Sequence, residues 1–88
     1  MPTDEAALTQ QRLRVAIPAI EAYAADNRVY TGMTLEKLRR FDAGVSEITI
    51  AWALRSRYCI QSTLGTTTYH YLGPAEGLSP GACPAADT

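Results

Sequence analysis

The sequence predicts a small α+β domain: one long N-terminal amphipathic helix packed on a small antiparallel sheet, with one disulfide. Three observations carry that prediction. Apolar residues recur at helical spacing through the first third of the 88-residue chain. The period changes from 3.6 to 2 after Gly44. Two cysteines, Cys59 and Cys83, lie where a single bridge would tie a featureless tail to a strand.

The first element is a helix over residues 5–26. Thr3 or Asp4 can cap it, and Asp4 and Glu5 suit the positive end of its dipole. Leu13, Ala16, Ile17, Ile20, Tyr23 and Ala24 form one apolar stripe, which Leu8 extends less closely in register. Pro18 falls inside it, removing a backbone donor and crowding the carbonyl of Arg14. The stripe keeps phase on both sides, so a continuous, kinked helix is expected, with something packed against the proline.

Asp26 and Asn27 end the helix, and Asp26 is expected to cap or tether the loop that follows. Residues 27–32 read as an ordered loop anchored by Tyr30, and Thr34 caps a short helix from Leu35 to about Arg40. Loop and short helix together cover 27–41, and Asp42-Ala43-Gly44 is a turn signal.

The sheet is placed within residues 45–72. Ile48, Ile50, Trp52 and Leu54 alternate with Glu47, Thr49, Ala51 and Ala53, which makes Trp52 a core aromatic on one apolar strand face. A second strand covers Tyr58–Thr63, a tight turn falls at Leu64-Gly65-Thr66, and a third covers 67–72. Tyr69 and Tyr71 share one face of that strand, and His70 shares the other with Thr68 and Leu72. Gly73-Pro74 stops it, and 73–88 is a Gly/Pro-rich tail with little apolar area to hold it down.

Length and composition narrow the function classes. A chain of this size is a single domain, burying only about 60–65% of its unfolded surface. Eight basic against nine acidic residues give a net charge of −1, so no broad field favours nucleic acid or anionic lipid. No run of apolar residues is long enough to cross a bilayer. The first residues are acidic and polar where a signal peptide needs a basic and then an apolar region, so a disulfide-bonded reading requires an export signal outside this stretch.

The cysteine pair is compatible with one disulfide, two free thiols or half of an intermolecular site. A Cys59–Cys83 bridge would close a loop of about 25 residues, worth roughly 3–3.5 kcal/mol on the chain-entropy model. It uses both cysteines at once, whereas a reactive Cys59 with His70 as base leaves Cys83 without a role. His70 is the sole histidine and has no orienting carboxylate or nucleophile at a telling spacing. Glycine-rich phosphate loops, EF-hand loops and CxxC pairs are absent from the sequence. The expectation is therefore a non-enzymatic domain with no cofactor and no metal. The strongest candidate ligand contacts are Arg39 and Arg40 at the end of the short helix and Arg55 and Arg57 at the turn between strands, a set that could meet phosphates or DNA.

The stretch Ile20-Glu21-Ala22-Tyr23-Ala24-Ala25-Asp26-Asn27-Arg28-Val29-Tyr30-Thr31-Gly32 resembles the helix-to-loop junction of type IV pilins and type II secretion pseudopilins. Tyr23, Asp26, Asn27 and Tyr30 match that family's Tyr-x-x-Asp-Asn-x-x-Tyr segment. Tyr58-Cys59-Ile60, Tyr69-His70-Tyr71 and Pro80-Gly81-Ala82-Cys83 are similar to later parts of such domains, in which a bridge ties the C-terminal region to the sheet. The resemblance covers residues 6–84. It implies the head domain of a bacterial filament subunit, truncated ahead of its head so that the apolar, membrane-anchoring half of the helix is missing. It also implies an extracytoplasmic location, at the cell surface or on a periplasm-side filament. The implied partners are copies of itself, other pilin-like subunits and an assembly machine, with membrane contact only through the missing helix. A minor pilin that takes up DNA through Arg39, Arg40, Arg55 and Arg57 is the alternative.

Overall fold

The computed structural model describes residues 4–86. Helix α1, Asp4–Asn27, runs unbroken through Pro18. Its 24 residues span about 36 Å, close to the 40 Å long axis of the molecule. The buried stripe is Thr9, Leu13, Ala16, Ala19, Ile20 and Tyr23. Two expectations change along it. Leu8 faces water, and Thr9 takes the inward position, its hydroxyl donating to the Ala6 carbonyl at 2.9 Å. Pro18 is exposed rather than packed against, because it lies on the flank opposite that stripe. Asp4 is helical rather than a cap; Thr3 lies outside the described residues.

Helix α2, Leu35–Phe41, starts where Thr34 accepts the Lys37 amide at 3.2 Å, and it docks through Leu38. Its N-cap therefore matches the sequence reading. The sheet is an antiparallel meander in the order β1-β2-β3-β4, with β1 Thr49–Ala53, β2 Tyr58–Leu64, β3 Thr67–Gly73 and β4 Gly77–Pro80. Strand β4 lies within the stretch read as tail, so the sheet runs to residue 80 rather than 72. Its pairing of Leu78 with Tyr71 and Ser79 with His70 replaces the missing local signal.

One face of the sheet packs on α1. Tyr58 and Ile60 of β2 point inward with Leu13, Ile20, Leu38, Val45 and Ile48, and Tyr69, Tyr71 and Leu78 pack against this core. The N-terminal turn of α1 is pinned to the β2–β3 turn by the Thr67 hydroxyl, which donates to Glu5 at 2.9 Å. The helix thus grips the sheet along its length, as the 3.6 and 2 periods require.

A bulge in β1 overturns one prediction. Ile50 pairs with Ile60, but the next pair is Trp52 with Cys59, so Ala51 is the extra residue. The insertion inverts the alternation. Ile50 and Ala53 stay with the core, while Trp52 moves to the outer face beside Cys59 and is only half-buried. Trp52 is not a core aromatic.

Candidate functional site

The outer face of the sheet carries a structure that the strand pattern alone does not announce. After β4 the chain turns back, and residues 81–84 cross β3, β2 and β1 in that order. The Gly81 amide donates to the Thr68 carbonyl at 2.8 Å, and the Gly81 carbonyl meets His70 Nδ1 at 2.9 Å. The Cys83 amide donates to Gln61 Oε1 at 2.9 Å, and Cys83 is bonded to Cys59. The Trp52 indole Nε1–H donates to the Pro84 carbonyl at 2.8 Å. Three consecutive strands thus each offer one side chain to the backbone of the same short strap.

That arrangement assigns roles to residues which sequence reasoning left bland. His70 lies on the face opposite Tyr71, as alternation requires, and binds backbone. Its Nδ1 acts as the donor, since a carbonyl can only accept. Cys59 is fully buried beneath the strap and Cys83 half-buried within it. The bridge between them leaves no free thiol. Among the described residues no group of three or more His, Cys, Asp or Glu side chains is arranged for a metal.

The four arginines make separate contacts, two on α2 and two at the β1–β2 connection. Arg39 Nε donates to the Val45 carbonyl at 2.8 Å, closing the exit from α2. Arg40 meets Glu36 one helical turn back at 3.6 Å, in an exposed pair worth little. Arg57 lies over the Trp52 ring, 5.7 Å from its centroid, and reaches Glu76 at 3.3 Å. Arg55 is exposed, and its backbone carbonyl accepts the Tyr30 amide at 3.2 Å.

The helix-to-loop junction is a second ordered feature. The Tyr23 hydroxyl donates to the Thr31 carbonyl at 2.9 Å, and the Asn27 amide returns to the Tyr23 carbonyl at 2.9 Å. The Tyr30 hydroxyl donates to both Glu21 carboxylate oxygens at 3.1 Å. The loop is tethered by Tyr23 and Tyr30, Asn27 closes the last helical turn, and Asp26 is exposed and takes no part in these bonds. Gly32, at φ +87°, turns the chain immediately under the Tyr23 hydroxyl, where a side chain would be both strained and crowded. A groove of about 330 Å³ opens here, lined by Tyr23, Asp26, Asn27, Lys37, Arg40 and Phe41.

Behind the junction, aromatic packing joins loop to sheet. The Tyr30 and Tyr58 rings are tilted with centroids 4.8 Å apart, and Tyr58 and Tyr71 stack at 6.0 Å. Burial, then the hydrogen bond to Glu21, holds the Tyr30 proton above its ordinary range. Burial first, then the neighbouring Tyr71, does the same to Tyr58. Both groups stay neutral phenols.

No family model, curated protein or solved structure matches the chain.

Proposed function

We propose that the chain is the head domain of a pilin-like or pseudopilin-like filament subunit, acting by self-assembly outside the cytoplasm rather than by catalysis. The single observation carrying this reading is the junction. Tyr23 and Tyr30 of the Tyr-x-x-Asp-Asn-x-x-Tyr segment hold the end of α1 to the loop and Asn27 closes its last turn, the role such a segment would need in transmitting position from a filament's helical core to its head. The helix-on-sheet architecture and the tail bridged to β2 support it further. Leu8 and Phe41, large apolar side chains left exposed on α1 and α2, offer neighbouring subunits something to cover.

Immunogold electron microscopy tests the proposal, using antibody raised against the purified domain and filaments sheared from the source cell. Decorated filaments that vanish on deletion of the gene are expected. A protein recovered only from the cytoplasm, with both thiols free, sinks it. The DNA-uptake alternative would draw on Arg39, Arg40, Arg55 and Arg57, of which Arg39 and Arg57 already serve contacts within the chain.

A further inference from the structure

The C-terminal strap lies outside the buried hydrophobic core. The buried core sits between α1 and the inner sheet face and includes no residue beyond Ile60, and the partly buried hydrophobics packed on it end at Leu78. The strap's own side chains are those of Gly81, Ala82, Cys83, Pro84, Ala85 and Ala86, all exposed except Cys83. Its hydrogen bonds to Trp52 and His70 are solvent-exposed, and water can replace such bonds at near parity. With the Gly81 amide on Thr68 and the part-buried Cys83 amide on Gln61, the strap's anchors among the described residues are a few hydrogen bonds and one covalent bond, Cys59–Cys83.

We propose that this strap is a redox-gated cover: reduction of the Cys59–Cys83 bridge releases residues 81–86 from the outer face while α1 and the four strands stay folded. Release uncovers Trp52, Cys59, Gln61 and His70 together, a strip of one aromatic and two hydrogen-bonding side chains around a thiol. It does not depend on the filament reading.

The chemistry has a direction, set by burial. A dithiol reductant reaches the half-exposed Cys83 and not the fully buried Cys59. Its thiolate attacks the Cys83 sulfur, the S–S bond breaks, and Cys59 departs as a thiolate that takes a proton from water. The reductant's second thiol then attacks its own sulfur in the mixed disulfide. Cys83 is freed as a thiol, and the reductant leaves as a cyclic disulfide, two electrons having passed to the protein.

Amide hydrogen exchange of the whole chain, with and without dithiothreitol, reads the outcome site by site. The Gly81 and Cys83 amides are bonded to Thr68 and Gln61 in the closed form. Their exchange is expected to accelerate on the order of tenfold or more on reduction, with α1 and β2 protection unchanged. The emission of Trp52, the chain's single tryptophan, should shift to the red as its indole loses Pro84. Cys83→Ser should show the open pattern without reductant, and Trp52→Phe should keep Cys83 closed under oxidising conditions. Loss of protection throughout the chain on reduction would overturn the proposal, since the bridge would then be a staple for the whole fold. Unchanged exchange at Gly81 and Cys83 would overturn it as well, since the hydrogen bonds would then suffice.

Discussion

The ring of Tyr58 lies directly against Gly73, its register partner on β3, in the space that the first carbon of any side chain at 73 would need. Gly73 is buried, and Tyr58 is among the largest fully buried side chains. The pair is therefore a size match across two strands rather than a turn requirement. Gly73→Ala should push the phenol toward Tyr30 and Tyr71 and destabilise the domain by about 1–3 kcal/mol, the usual cost of overpacking. Urea denaturation checks it, and an unchanged midpoint would contradict the packing.

Tyr58 also carries a buried hydroxyl with no hydrogen-bond partner among the described residues. A buried donor without an acceptor costs about 1–3 kcal/mol. Tyr58→Phe keeps the ring, so it should leave stability unchanged or raise it by about 1 kcal/mol. Tyr30→Phe should go the other way, losing about 1 kcal/mol, because its hydroxyl serves the Glu21 carboxylate. Thermal melts of the two variants should therefore move apart. Equal losses would show that the Tyr58 hydroxyl is satisfied after all.

Alkaline pH should act through the same pair. Both phenols hold their protons above the ordinary value of 10.0, burial being the first cause in each. Above that pH the folded chain binds more protons than the unfolded chain, so unfolding stability must fall as pH rises. The contribution is complete below about pH 10 and is lost beyond it. Denaturation midpoints should be flat between about pH 7 and 9 and drop above about pH 10. The drop should be shallower in Tyr58→Phe and Tyr30→Phe, since each removes one titrating group. A midpoint that rises above that point would reverse the assignment.

Local signals made most of this fold readable. The stripe on α1, the Thr34 cap and the β2–β3 hairpin depend on residues close together in sequence. What escaped depends on distant pairing. Strand β4 is four residues with one large apolar side chain, and it exists because β3 offers an edge to Leu78 and Ser79. The β1 bulge at Ala51 has no composition of its own, so simple alternation runs through it and assigns Trp52 to the inner face, whereas the bulge turns it outward. Gln61 and His70 gain roles only from a tail that returns over them. The cysteine pairing was legible, because the tail had so little else to hold it.

The junction yields the prediction closest to function. The Tyr23 hydroxyl and the Tyr30 hydroxyl make side-chain bonds that fix the loop against the end of α1, while the Asn27 side-chain amide closes the last helical turn on the Tyr23 carbonyl. Tyr23 is buried, so Tyr23→Phe leaves the Thr31 carbonyl short of a donor at about 1 kcal/mol. Asn27→Ala, at an exposed helix end, should cost less. The informative readout is local, because a loop released from its helix should open without unfolding the sheet. Exchange of the Met33 amide, which is bonded to the Tyr30 carbonyl at 3.3 Å, should accelerate in Tyr23→Phe while the β2 amides keep their protection. If Met33 and β2 lose protection together, the junction belongs to the global core.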